Sequence, residues 1–395
     1  MNILVYEGVF QYNVVNYFAK ELAEGFKGLG HKVILYNLSQ QGRIEDFIEI
    51  LLKENIELII SFNGIQAARI DIIKELIGKL NIVMGIILVD HPFDHWQRIQ
   101  WEKGENTFIC MYDEGYLHIV EDYIDDQIPI AKLHHAGIGS SVEQNEKIYD
   151  VVMAGTIQES SEEIPEGILK EIGDELYNKA IQNYSIPLDY LLDEVMKNRG
   201  LSKALFRENQ DFQEALAYMY NLTDRQIRNT MRVKVLEAML KAGIKVDLFG
   251  NCKIEQLKHF DNLTYHGSID YLDLLHEIKK AKILVNDFKT VTNGSHERIL
   301  STMLNKTLVL SNQNTYCNND YIQGRHIVYY DVNSLETLTD QVKYYLEHDD
   351  EREKIVHEAY VLTSEKHTWK NRASELESIY YSFKEIKDSI NVSSK

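Results

Sequence analysis

Lys282–Ser311, KILVNDFKTVTNGSHERILSTMLNKTLVLS, alternates apolar runs with turn residues in a way that defines a complete structural unit. Ile283, Leu284 and Val285 form a short apolar run closed by Asn286 and Asp287, the pattern of a buried strand that ends in polar residues. Thr292, Asn293, Gly294 and Ser295 then supply turn and N-cap chemistry. Ile299, Leu300, Met303 and Leu304 recur at helical spacing behind them, so a helix begins near Ser295. Leu308–Leu310 restart as a strand, and a strand, helix, strand unit of this length has parallel strands. The helix then starts over the carboxyl ends of the strands, where free amides and the helix dipole favour an anion. Gly294 lets a ligand approach the backbone closely. The run Asn293, Gly294, Ser295, His296, Glu297, Arg298 adds a carboxylate and a guanidinium to the first turn, and Arg298 either serves that anion or pairs with a nearby acid.

The chain has 395 residues, which suggests two domains with an accessory segment, and its hydrophobic fraction of 44% is enough to fold both. A net charge of -19 with no basic stripe argues against nucleic acid and anionic membrane, while small anions remain open to it. Cys110, Cys252 and Cys317 are odd in number and widely spaced, as expected of reduced, buried thiols rather than a disulfide framework. Ile3–Val5 enters a strand with no leader before it. The longest apolar run, Ile82–Val89, is too short to span a bilayer, so a cytoplasmic location is expected.

Strands at Asn2–Glu7, His31–Tyr36, Leu58–Phe62 and Ile82–Val89 alternate with helices at Val14–Leu29, Arg43–Asn55 and Arg69–Leu80, which predicts a parallel sheet covered on both faces. Glu7-Gly8-Val9-Phe10 follows the first strand where a dinucleotide fold would carry GxGxxG, which disfavours such a cofactor. The fourth strand runs into Asp90-His91-Pro92-Phe93-Asp94-His95-Trp96, acids and imidazoles at a strand's carboxyl end. Asp90 and His91 are catalytic candidates there, with Glu7, Asp94 and His95 on the acceptor side. His91 and His95 have the spacing of metal ligands on a helix, but Pro92 takes His91 out of the helix, so no metal is expected. The first domain is assigned to 1–148. Tyr149–Ala154, ending in Gly155, opens a second alternating half over 149–365, with a helical, acidic insertion at about 160–224. Arg225, Arg228 and Arg232 share a helix face that is either solvated surface or a diphosphate cradle. Lys245–Phe249 and Gly250 follow, then Tyr265-His266-Gly267.

These motifs resemble the two-Rossmann-domain (GT-B) glycosyltransferases, and within them the CgeB-like spore-maturation group, relatives of which glycosylate flagellin or surface glycans. The resemblance is firmest over Tyr149–Trp369, in Asp150–Gly155, Val246–Gly250, Tyr265–Gly267 and Asn293–Arg298, and weaker over the first domain, in Gly30–Val33 and the Asp-His-Pro turn. It implies an α/β fold of two Rossmann-like domains facing a cleft, with a final helix, 366–395, crossing back to the first. It implies a nucleoside-diphosphate sugar as donor, UDP-sugar favoured, with no further cofactor. Base contacts would come from His266, Gly267 and Ile269, phosphate contacts from Gly294, Ser295 and the helix start, and sugar contacts from Asn293 to Glu297. Gly155, Arg228, Gly250, His296, Arg298 and Ser301 complete the donor side, and Glu297 joins the catalytic candidates. Many relatives carry two glutamates eight residues apart where this chain has Asn293 and Ser301. The expected activity is metal-independent transfer of a sugar to a protein or glycan hydroxyl, and the alternative is a non-catalytic binding subunit that partners an active transferase.

Overall fold

The computed structural model describes residues 1–37, 44–64, 71–143, 146–158, 162–287, 293–314 and 319–393. Thr292 and Cys317 lie outside these, and so do the expected helix starts at Arg43 and Arg69. The chain divides into two compact units, Met1–His135 with Thr368–Lys395, and Ala136–His367.

The first unit is built on β1 (Asn2–Glu7), α1 (Val14–Gly28), β2 (Lys32–Asn37), α2 (Ile44–Lys53), β3 (Leu58–Phe62), α3 (Asp71–Lys79), β4 (Val83–Leu88), α4 (Pro92–Glu102), β5 (Thr107–Met111) and β6 (Ile130–Lys132). All six strands are parallel, in the order β2-β1-β3-β4-β5-β6. Every residue of β3, β4 and β5 is buried, as expected of strands covered on both faces. The helix α4 begins at Pro92 and leaves His91 outside it as an extended N-cap, as expected from the proline. Proline at the first helical position has a φ already suited to the helix and an N–H that no helical bond needs.

In the second unit, β7 (Tyr149–Ala154) is followed by four helices, α5 (Ile168–Gln182), α6 (Leu188–Asn198), α7 (Lys203–Glu208) and α8 (Gln210–Lys241). Then come β8 (Val246–Phe249), β9 (Leu263–Gly267), α9 (Tyr271–Lys279), β10 (Ala281–Asn286), α10 (Glu297–Leu304), β11 (Leu308–Asn312), β12 (Val328–Tyr330), α11 (Leu335–Glu347) and α12 (Asp349–Lys366). The sheet is again wholly parallel, ordered β12-β11-β10-β7-β8-β9, so its strand order reverses between β7 and β10. The expected end of the insertion near 224 does not exist as a break. A single helix, α8, carries both the end of the insertion and the arginine row.

The sequence division at 148 and the structural one at His135 differ by residues 136–148, which are held to the second unit by polar bonds. Ile138 N–H donates to Ser301 Oγ at 3.0 Å, Ser140 N–H to Asn305 Oδ1 at 2.7 Å, and Lys147 Nζ to the Lys279 and Lys306 carbonyls. Gly137 is required there, because a Cβ would stand 2.6 Å from the Leu300 carbonyl carbon. The final helix, α13 (Trp369–Ser393), belongs to the first unit. Gly25 of α1 lets it approach so closely that a Cβ would come within 2.9 Å of Ala373 Cβ. Buried Trp369 packs on Phe18 and Phe62 at ring separations of 5.0 and 5.6 Å, a burial that contributes roughly 2–3 kcal/mol.

Candidate functional site

In an open parallel sheet, ligands gather outside the carboxyl ends of the strands where the order reverses. In the second unit that point is the gap between β7, ending at Ala154 and Gly155, and β10, ending at Asn286 and Asp287. Arg232 of α8 spans it. Its Nη1 donates to the Thr156 carbonyl at 2.8 Å and its Nε to Asp287 Oδ1 at 3.3 Å, with both residues buried. Arg298, half-buried in the first turn of α10, donates from Nη1 to Asn286 Oδ1 at 3.1 Å. Desolvation lowers its pKa while Glu297 opposes the shift, and a guanidinium stays charged regardless. Two cations therefore stand at the reversal point. Two buried oxygens beside them, Asp287 Oδ2 and Ser295 Oγ, have no hydrogen-bond partner among the described residues. Buried polar atoms without partners are rare in folded proteins, and a ligand is one of the things that supplies them.

The N-cap of α10 is His296, whose Nδ1 accepts from Arg298 N–H at 3.2 Å. Glu297 turns its carboxylate back onto that tip, against the Arg298 amide and the His296 ring. Gly294 is buried, its carbonyl accepting from Asn314 Nδ2 at 2.8 Å, and Asn293 precedes it half-exposed. Asn293, Gly294, Ser295, His296, Glu297 and Arg298 are thus brought together at one helix start.

Gly155 and Gly250 end neighbouring strands in backbone contact. Gly250 has a φ of +124°, and a Cβ on it would stand 1.9 Å from the Gly155 carbonyl oxygen. Gly250 N–H donates to the Gly267 carbonyl at 2.8 Å, which continues the row to the end of β9. His266 stacks on Phe249 with ring centroids 4.3 Å apart and lies 2.8 Å from Asp247 Oδ1. Ile269 follows, half-buried, in the turn before α9.

Two expected donor-side residues are engaged elsewhere. Arg228 lies 2.6 Å from Asp224, one turn back on α8, and Arg225 lies 3.7 Å from Glu162. The inward member of the row is Arg232. The signal that separates them is in the sequence, since Arg228 has an acid four residues before it and Arg232 has none. Ser301 is fully buried, and its hydroxyl accepts from Ile138 N–H and shares a 2.9 Å bond with Tyr271 OH. It holds the 136–140 segment and offers no open face.

In the first unit the acidic cluster ends β4. Asp90 Oδ2 accepts from Asn63 Nδ2 at 2.8 Å and lies 3.3 Å from His95 Nε2, with 55% of the side chain exposed. Desolvation raises the Asp90 pKa, but the bonds from His95 and Asn63 and the His135 imidazole outweigh it, so the carboxyl titrates below its usual range. His91 is buried and is the N-cap of α4, its Nδ1 accepting from Phe93 N–H at 3.2 Å. That bond makes it the cap of α4. Glu7, at the end of β1, lies 3.6 Å from Lys20 Nζ, and Asp94 is exposed on the first turn of α4. Among the described residues no group of three His, Cys, Asp or Glu could hold a metal, and no helix is long and apolar enough to cross a membrane.

Two parallel Rossmann-like sheets with flanking helices define the GT-B class of fold. Within the chain, residues 225–378 match a family model described as glycosyl transferase-like. No curated protein sequence matches the chain. Solved structures are similar over nearly its whole length. An α-glucosyltransferase in complex with UDP is 11% identical, with 96% of this chain and 100% of that one covered and a TM-score of 0.58. HepE of Anabaena, solved with UDP and glucose, is 8% identical, with 97% and 100% covered and a TM-score of 0.55. Sucrose-phosphate synthase from Thermosynechococcus elongatus is 9% identical, with 96% and 98% covered and a TM-score of 0.54. At such identities the likeness is one of fold.

Proposed function

We propose that the protein is a glycosyltransferase whose second unit binds a nucleoside-diphosphate sugar and whose first unit receives a hydroxyl acceptor. The observation that carries the reading is the pair of arginines at the strand reversal, Arg232 and Arg298, beside a helix start where the buried Ser295 hydroxyl has no partner among the described residues. A diphosphate matches that chemistry, because two guanidiniums and a helix dipole neutralise the charge that develops on the leaving group. Transfer forms a bond from the acceptor oxygen to the anomeric carbon and breaks the bond from that carbon to the diphosphate oxygen, which keeps the electron pair. Asp90 accepts the hydroxyl's hydrogen bond and takes its proton as the new bond forms. A carboxylate of low pKa suffices, since the hydroxyl becomes strongly acidic once its oxygen begins to bond to carbon. The two arginines do the work assigned to a cation at the leaving group, so the reading needs no metal. The motifs shared with CgeB-like proteins favour a protein or surface-glycan acceptor, and the similarity to proteins solved with UDP favours a UDP-sugar.

A second reading, a binding subunit without activity, is favoured by one observation. Ser301 stands where relatives carry a glutamate, and it is buried and fully bonded. Incubation of the purified protein with UDP-sugars and measurement of released UDP separates the two. Release that Asp90→Asn and Arg298→Met both abolish supports transfer, whereas tight nucleotide binding with no release supports the subunit.

A further inference from the structure

Asp90 sits in a chain of donors that has one possible polarity. Arg98, on α4 one turn beyond His95, lies with Nη1 3.4 Å from His95 Nδ1, and its Nη1 also reaches the Asn63 carbonyl at 3.4 Å. A guanidinium only donates, so His95 Nδ1 is the acceptor of that bond and carries no proton. The ring's other nitrogen, Nε2, then carries the hydrogen and donates to Asp90 Oδ2. Asn63 Nδ2 donates to the same oxygen. Both protein bonds end on Oδ2, and the exposed remainder of the carboxylate is presented at the end of β4.

The parts of this chain are fixed by their own backbones. Asn63 has a φ of +53°, a left-handed conformation that asparagine tolerates better than most residues and that is often stored at functional positions. Its Oδ1 accepts from Val89 N–H at 2.9 Å, which locks the amide so that Nδ2 must face Asp90. Gly64 follows with a φ of +63°, and a Cβ there would stand 2.9 Å from Arg98 Cβ, so this glycine is what admits the arginine. His95 is buried, which holds its ring in place.

We infer that Arg98 and His95 are positioning residues for Asp90: Arg98 fixes His95 as the neutral Nε2–H tautomer, and His95 with Asn63 holds one oxygen of Asp90 so that the other meets the acceptor. The inference rests on the transferase reading for its purpose but not for its geometry. His95 is then not the group that takes the proton. Among the described residues His135 and Tyr112 also act on Asp90 electrostatically, and Asp94 and Asp113 act in turn on Tyr112. Tyr112 packs on His135 at 4.4 Å, and Asp113 is buried with Oδ1 accepting from Gly115 N–H.

The chain is tested by long-range proton–nitrogen correlation spectra of the full-length protein labelled at histidine, with the His95 signals assigned by their loss in His95→Gln. The expected spectrum shows His95 as the Nε2–H tautomer. Arg98→Met removes the lock, and an Nδ1–H signal then appears for His95. An Nδ1–H tautomer in the wild type, or an unchanged His95 in Arg98→Met, overturns the inference. A kinetic arm reads its purpose through UDP release from UDP-glucose as a function of pH. The acidic limb of kcat/KM rises by about one unit in His95→Leu, a tenfold change in the protonation constant, and returns toward the wild type in His95→Gln, whose amide still donates. A limb that does not move in His95→Leu overturns the positioning role. A wild type that releases no UDP overturns that role too, and the nitrogen spectrum then shows whether the hydrogen-bond chain or the transferase reading has failed.

Discussion

Arg232 Nε lies 3.3 Å from Asp287 Oδ1 while Nη1 of the same guanidinium donates to Thr156, so one buried side chain joins the ends of β7 and β10 where the strand order reverses. Asp287 leaves its second oxygen without a partner among the described residues. In the proposed site the same cation would also face the diphosphate.

Arg232→Met is accordingly expected to weaken nucleoside-diphosphate binding roughly 10- to 100-fold, the range of one to two charge-assisted hydrogen bonds. It also strands a buried carboxylate, at a cost of about 3 kcal/mol. Adding Asp287→Asn recovers most of that stability without recovering binding. Calorimetric titration and thermal unfolding of the three proteins check both halves, and unchanged affinity in Arg232→Met would count against the site.

Ser301→Glu, which places the relatives' carboxylate back in the chain, is expected to lower stability by about 3 kcal/mol or more, because the position is fully buried and the carboxylate would be desolvated there. It also removes the hydroxyl that holds Ile138 N–H. Thermal unfolding with and without UDP reads the outcome. A variant that melts no lower and binds UDP more tightly would show that position 301 faces the ligand.

Gly250→Ala tests the close approach of the two strand ends. The added methyl meets the Gly155 carbonyl at a φ of +124°, which predicts a loss of about 3 kcal/mol or more. Wild-type stability in urea would refute the packing described.

The buried Glu102 gives a pH signature to the first unit. Burial pushes its carboxyl up to about 8, against the nearby Ser61 hydroxyl and the charges of Arg98 and Lys74. The folded state therefore holds a proton that the unfolded chain releases above its ordinary value of 4.5. Its stabilising contribution is full below that value and is lost as pH rises through 8. Glu102→Gln keeps the neutral shape and is expected to be more stable than the wild type at pH 9, on the order of a few kcal/mol. Urea unfolding from pH 4 to 9 checks this, and parallel curves for the two proteins would contradict it.

Much of the architecture was legible because parallel strands buried on both faces are written as continuous apolar runs, as in Leu58–Phe62 and Val83–Leu88. The helix start after β10 was legible for a related reason, since Asn293–Ser295 combines turn chemistry with apolar spacing behind it. Strand β12 was not, because Val328–Tyr330 is only three residues long and pairs solely with β11. The candidate site was legible as a neighbourhood and less so as a list. Three arginines share one helix face, and in sequence only Asp224, four residues before Arg228, tells that arginine from Arg232, which tertiary packing sends inward. At Asp90-His91-Pro92 the residue types were plain, but only the entry of α4 at Pro92 makes His91 a cap and turns His95 toward Asp90.

Calorimetric titration of the purified protein with UDP, GDP, CDP and dTDP, repeated with Arg298→Met, asks whether the second unit holds a nucleotide at all. Saturable binding of at least one nucleotide is expected, UDP foremost, accompanied by a raised melting temperature and weakened at least tenfold by the substitution. No binding of any of the four, or binding that Arg298→Met leaves untouched, would contradict it.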